Sequence, residues 1–350
     1  MKVIITDDII NECCNMALLY TDTDYTSKQI LKSSPNLPSD QAETISLDIK
    51  SYINQGIMFL KDSDENVFTS PLTLFYSLNN FTKAIFLLHE PNSTLSESHG
   101  LTLEREKIKE DTNLSDVRVS VKKNGTFCDL LKITKDEINL GDSFDLKNIL
   151  SVIPEIIETF ANRYHEEPNV FLLQEESQST YKLMIHNVQD DETIRKRDFS
   201  YPYNYGCHLN IVGNNSSMWI DARYIPDRKC ILYDVYGNNY CSCGFEHNGK
   251  MMGISKITGL YMCYYTFSML VRYYPETWSK ICNSADIAII RKLLIHCRKD
   301  MLAEVVRLLF DELYYFSTKI ETKNIELDYD KIFEEIKDRE RTERYRSGGR

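Results

Sequence analysis

Two segments that are apolar on almost every face set the strongest limit on how this chain can fold. From Leu72 to His89 the positions Leu72, Leu74, Phe75, Leu78, Phe81, Ala84, Ile85, Leu87 and Leu88 go round most of a helix. Ile257 to Tyr274 repeats the pattern with Tyr and Phe, and Pro275 stops it. A helix without a polar face must be surrounded by protein. One segment lies in the first third of the 350 residues and the other in the last third. The two ends of the chain are therefore expected to pack together, with whatever separates them inserted or docked beside them. Each segment has helical company. Ser39 to Leu60 carries Ile45, Leu47, Ile49, Tyr52, Ile53, Ile57 and Leu60 at mostly helical spacing after the start signal Ser39-Asp40-Gln41-Ala42. Ser70-Pro71 opens the first buried segment, with Pro at a first-turn position. Glu276 to Cys282 reads as a short helix, and Asp286 to Thr318 as one long helix.

Between about Asp116 and Asp234 the period changes. Val117, Val119 and Val121 alternate with Arg118, Ser120 and Lys122, Asn124-Gly125 has the composition of a type I′ turn, and Phe127 to Ile133 reads as the returning strand. Further strands are expected at Val170 to Gln174, Tyr181 to Val188, His208 to Val212, Met218 to Tyr224 and Lys229 to Val235, with Asn214-Asn215 and Pro226-Asp227 as turns. A helix from about Asp145 to His165, broken at Pro154, interrupts them. The expected fold class is α+β, a bundle of N- and C-terminal helices with a central, mostly antiparallel β-sheet. Its parts are a helical 1–115, a sheet region 116–250 with one helix, C-terminal helices 251–320 that pack on the first part, and a charged helical or frayed tail 321–350.

Charge and cysteine usage narrow the function classes. Forty-one Lys+Arg against 52 Asp+Glu leave a net charge of -11, which excludes a generally basic surface for gripping nucleic acid but not a local patch. Basic residues gather late, from Arg291 to Arg350, so that end is where nucleic acid would be expected to bind. Asp7 and Asp8 fall where a secretory signal needs its apolar core. The longest apolar stretch, Ile254 to Val271, contains Lys256 and several Tyr, so no membrane span is expected. Ten Cys, scattered and partly inside apolar runs, fit reduced thiols and a cytoplasmic protein. The phosphate-cradling GxxxxGK[ST] loop, GxGxxG, HExxH, GxSxG and the deaminase pairing are absent from the sequence, and no cofactor is expected.

Four constellations remain. Cys230, Cys241, Cys243 and His247 are zinc-type ligands, but a CxC pair lacks the CxxC knuckle that aims two sulfurs at one point, and a Cys-rich loop is the plainer account. The adjacent Cys207 and His208 face opposite ways on a strand. Arg291 and His296 stand about 140° apart on an ideal helix, sharing a broad face. With neighbouring elements or a dimer mate they could act on a phosphodiester, His as acid or base and Arg on the phosphate charge. Such a spacing also arises by chance, and an exposed charged patch on a long helix is the plainer account. Finally Asn79, Asn80 and Lys83, polar groups on an otherwise apolar helix, must find partners or line a pocket. Ser98-His99-Gly100 follows that helix, with Gly100 suited to an unusual backbone angle and His99 to capping or base catalysis.

Two stretches resemble the YaaC-like family of bacterial proteins. They are Ser70-Pro71-Leu72-Thr73-Leu74-Phe75-Tyr76-Ser77-Leu78-Asn79-Asn80-Phe81-Thr82-Lys83-Ala84, continuing to Ser98-His99-Gly100-Leu101, and Tyr265-Thr266-Phe267-Ser268-Met269-Leu270-Val271-Arg272-Tyr273-Tyr274-Pro275-Glu276-Thr277-Trp278. This resemblance, over roughly residues 40 to 316, implies an architecture more than an activity. The first stretch is also similar to the helix pair of HEPN domains, many of which are dimeric RNases of toxin and phage-defence systems. That similarity implies a signature of Arg, usually followed by Asn, Asp or His, then His four to six residues later. Arg291 and His296 match in spacing, Lys292 departs from the second position, and His99 lacks a basic residue before Gly100. The expected function is a HEPN-related component of a defence or stress system that cleaves RNA without a metal. Its partners would be a second copy, another protein or RNA. A non-catalytic subunit of a multi-protein complex is the alternative, and a small-molecule or nucleotide-binding enzyme with its pocket near Asn80, Lys83 and His99 is the third.

Overall fold

The computed structural model describes residues 2–177, 180–184, 209–211, 218–221 and 230–317. Its helices are α1 Ile9–Leu18, α2 Thr23–Ser33, α3 Ser39–Lys61, α4 Ser70–His89, α5 Thr126–Thr134, α6 Leu146–Leu150, α7 Ile157–Tyr164, α8 Lys256–Tyr273, α9 Pro275–Cys282, α10 Ile287–Arg291 and α11 Cys297–Phe310. The two all-apolar segments are α4 and α8, and they pack on each other at the centre of one core that also takes in α3, α5, α10 and α11. The α3–α4 approach is close enough that a Cβ on Gly56 would come within 2.9 Å of the Phe81 ring, and Ser77 donates to the Gly56 carbonyl at 2.8 Å. Among the described residues no helix is long and apolar enough to cross a membrane.

The fold is α+β. A six-stranded antiparallel sheet runs in the order β7 (Leu209–Ile211), β8 (Met218–Asp221), β6 (Thr180–Met184), β5 (Val170–Ser177), β10 (Asn239–Ser242), β9 (Ile231–Tyr233). A second antiparallel sheet joins β2 (Leu101–Leu103), β3 (Arg118–Val121) and β4 (Ser143–Asp145), and β11 (Phe245–His247) pairs with β12 (Lys250–Met252). At the other end β1 (Lys2–Ile5) and β13 (Tyr314–Ser317) pair in parallel. The region between the helical blocks therefore divides into three small sheets rather than one. The broken helix expected from Asp145 to His165 is α6, a 3₁₀ turn at Pro154–Ile156 and α7. The turns expected at Asn214-Asn215 and Pro226-Asp227, Cys207-His208 and the charged tail lie outside the described residues.

The expected hairpin does not form. Phe127 to Ile133 is not a returning strand but most of α5. Asn124-Gly125 is not a I′ turn, because Gly125 has φ 139° and ψ 170°, an extended mirror-image conformation instead of the left-handed one that a I′ turn needs. The strand β3 takes β2 and β4 as neighbours, and Gly125 instead passes against Gly100. A Cβ there would lie 2.0 Å from the Gly100 nitrogen. Gly125→Ala is expected to cost about 3 kcal/mol by adding backbone strain to this clash, read as a lower urea midpoint with an unchanged slope.

The helix expected from Asp286 to Thr318 stops at Phe310, where Asp311 turns left-handed (φ 50°) and the chain enters β13. It is also interrupted. Lys292–His296 forms a π-helical turn between α10 and α11, and the Tyr264 hydroxyl donates to the Leu293 carbonyl inside it at 3.1 Å.

Candidate functional site

A site is assembled where α4, the start of β2 and the last turns of α8 meet. The loop after α4 is pinned by backbone bonds from Thr126 N–H to the Ser98 carbonyl (2.8 Å), Phe127 N–H to the His99 carbonyl (3.0 Å) and Lys122 N–H to the Gly100 carbonyl (2.9 Å). His99 thus receives the first turn of α5 on its carbonyl, while Gly100 (φ 82°) supplies the bend. The imidazole is left among rings, 5.0 Å from Phe75 and 6.2 Å from both Tyr76 and Tyr265, centroid to centroid. It is half-buried.

Cations surround it. The Arg272 guanidinium donates to the Tyr76 hydroxyl at 3.1 Å and to the Ser268 carbonyl at 3.2 Å, and lies 5.8 Å from the Tyr76 ring centre. The Lys83 ammonium sits 5.3 Å over the Tyr52 ring. Neither these two nor Lys122 has a carboxylate partner among the described residues. Burial, and after it the positive charges of Arg272, Lys83 and Lys122, hold the imidazole below the ordinary histidine range. A neutral ring nitrogen can accept a proton, and the uncompensated cations attract an anion to the same corner.

Of the four polar residues singled out on α4 and its loop, two are tied down internally. Asn79 accepts from the Tyr261 hydroxyl at 2.8 Å, and that hydroxyl also reaches the His99 carbonyl at 3.5 Å. Asn80 donates to the Tyr76 carbonyl at 2.7 Å. His99 and Lys83 keep polar atoms free to meet a ligand. Arg272, Tyr76 and Tyr265 complete the corner, and no spacing rule singled them out. They belong to the two resembling stretches, which the fold brings together here.

Arg291 and His296 are placed differently. Both are exposed, but the π turn separates them. His296 lines a cleft with Lys292 and Lys299, Arg291 is not among the residues lining it, and Arg291 instead acts electrostatically on Cys282 of α9.

The zinc-type residues are not gathered either. Cys230, Cys241 and Cys243 are buried around β9 and β10, while His247 on β11 faces Asp142 at 3.2 Å and stacks on Phe144 at 4.5 Å. Among the described residues no group of three or more His, Cys, Asp or Glu side chains is placed to hold a metal ion.

A second polar cluster went unnoticed in the sequence. Lys256, the first residue of α8, is buried with its ammonium 2.9 Å from Glu155, 3.5 Å from Asp300, 3.5 Å from Glu304 and 2.5 Å from the Tyr233 carbonyl. Burial, then the Asp300 charge, pushes the Glu155 carboxyl up to about 8 despite the ammonium beside it. One lysine in a segment otherwise apolar all round was the available signal, since a buried ammonium must find carboxylates.

A family model described as YaaC-like Protein matches residues 18–309. No curated protein and no solved structure matches the chain.

Proposed function

The chain belongs to the YaaC-like family, and from that premise we propose that it is a metal-independent ribonuclease whose site is the His99 corner. The observation that carries the reading is a half-buried imidazole among aromatic rings, held below the ordinary histidine range by burial and then by Arg272, Lys83 and Lys122, cations without carboxylate partners among the described residues. In this reading His99 takes the proton of an RNA 2′-hydroxyl, and the oxygen attacks the adjacent phosphorus. The 5′-oxygen leaves with a proton from the Lys83 ammonium. Arg272, held against Tyr76, stabilises the charge that builds on the phosphoryl oxygens. The products are a 2′,3′-cyclic phosphate and a 5′-hydroxyl.

The likeness of the α4 stretch to HEPN helices supports placing this activity in a cytoplasmic bacterial defence or stress system, with a second copy or another protein as partner. Arg291 and His296 are not assigned the chemistry, because the cleft that holds His296 lacks Arg291.

Purified protein incubated with end-labelled RNA in excess chelator tests the reading. The expected result is chelator-resistant cleavage leaving cyclic phosphate ends, identified by mass spectrometry. RNA that stays intact with wild-type protein overturns it, in favour of a non-catalytic subunit.

A further inference from the structure

The positive charge at the His99 corner extends along β2 in both directions. Lys122 is exposed at one end of that strand, its N–H bonded to the Gly100 carbonyl just before Leu101. Arg105 is exposed at the other end, in the 3₁₀ turn Arg105–Lys107 that follows Leu103. Five residues of extended chain separate the two levels, about 15 Å. Between them Tyr265, whose ring lies beside the imidazole, donates its hydroxyl to the Leu101 carbonyl at 2.9 Å. The charges of both Arg272 and Arg105 reach that hydroxyl.

No carboxylate compensates this row. Glu104, next to Arg105, is held instead by Lys107 at 2.6 Å and by the Ser143 hydroxyl, with the Arg118 guanidinium 4.0 Å away. The exposed Glu97 and Glu106 pair with none of these cations. Arg105, Arg272, Lys83 and Lys122 are all without a carboxylate partner among the described residues, in a chain of net charge -11.

A row of uncompensated cations about 15 Å long suits a ligand whose negative charges repeat along a chain, several of them within that length. A free phosphate or mononucleotide is too short to meet both ends. The half-buried imidazole adds a second condition, because a strand must bend into its ring of aromatic side chains, and a paired duplex is too stiff to do so. We propose that the stretch from Lys122 to Arg105 binds the phosphates of single-stranded RNA and seats one linkage at His99. The inference rests on the ribonuclease reading and names its substrate as a polymer strand. It places that strand along β2, not at the Arg291 to Arg350 end that composition favours.

Fluorescence anisotropy on the full chain with a 2′-O-methyl oligonucleotide of about twelve residues tests this, the length being that of a single-strand site. The probe has no free 2′-hydroxyl, so binding is read whether or not the protein cleaves RNA. Arg105→Gln and Lys122→Gln, both at exposed side chains, are each expected to weaken binding about three- to tenfold and to lower the salt slope of log Kd by about 0.7. Replacing Arg339, Arg341, Arg344 and Arg346 together by Gln is expected to leave binding unchanged. The proposal is overturned if the probe does not bind, if its duplex binds as tightly, or if the β2 variants bind as wild type. Binding of the probe without cleavage of ordinary RNA removes the ribonuclease reading and keeps the strand-binding surface.

Discussion

His99→Ala is expected to lower RNA cleavage by about 10²- to 10⁴-fold, the span of a lost general base. The side chain is half-buried, and its ring contacts are all with Phe75, Tyr76 and Tyr265, so the variant loses packing as well. His99→Gln, which keeps a polar planar group, separates the two effects. A variant with a wild-type melting temperature and the same loss of rate shows that chemistry, not folding, was removed. Arg291→Ala is expected to cleave as wild type. The pH profile carries the sign. A base must be unprotonated, and His99 is held below the ordinary histidine value, so kcat/KM is expected to stay level through neutrality. It falls at acid pH, below about 6.5, where the base is protonated. A profile that stays level down through acid pH, or His99→Gln at full activity, removes His99 from the reaction. Arg272→Lys is also expected to be slow, because a lysine cannot hold Tyr76 and a phosphate with one planar fork.

Lys256→Met is expected to destabilise the protein by about 3–5 kcal/mol, the cost of leaving buried charge without its partner. Three carboxyl groups converge on this ammonium from Glu155, Asp300 and Glu304, with the Tyr233 carbonyl as a fourth acceptor. The network ties α8 and α11 to β9 and the Pro154 turn, so its loss acts on the whole core. Wild-type stability also depends on pH here. The Glu155 carboxyl is raised from its ordinary value to about 8, so over the interval between them the folded protein binds the proton that the unfolded chain has released. Its contribution is complete below about pH 4.5 and is lost as pH rises through about 8. Lys256 and Asp300 face Glu155, and Lys256 in turn feels Glu304 and Arg307. Glu155→Gln, which cannot ionise, is expected to flatten that slope in urea titrations run from pH 5 to 9, and an unchanged slope would assign it elsewhere.

What the sequence reveals here depends on how local the cause is. The segments α4 and α8 are legible because a helix without a polar face has one destination, and α6 with α7 because Pro154 states its own break. The Asn124-Gly125 turn misleads because its composition fits a hairpin, whereas the reason for Gly125 is a backbone passing 25 residues away in sequence, at Gly100. Strand β13 is hidden for a similar reason. Its aromatic run Tyr314-Tyr315-Phe316 suits a strand, but its partner is Lys2–Ile5. The candidate site divides in the same way. His99 and Lys83 stand out as polar groups in apolar surroundings, whereas Arg272 at the end of α8 and Asp300 in α11 become notable only once the fold sets them beside His99 and Lys256.

The π turn leaves a mark in the sequence after all. Buried positions step through Ile289/Ile290, Leu293/Leu294, Cys297, Met301/Leu302, Val305/Val306 and Leu309, a repeat of four residues. An α-helix turns about 400° in four residues, so each step carries the stripe about 40° further round, and about 200° by the end. Such a stripe would begin facing the core and finish facing water. One wider turn holds an extra residue and sets the phase back by about 100°. The apolar stripe thus works as a vernier against the helix, and the misfit between the two scales is taken up at Lys292–His296.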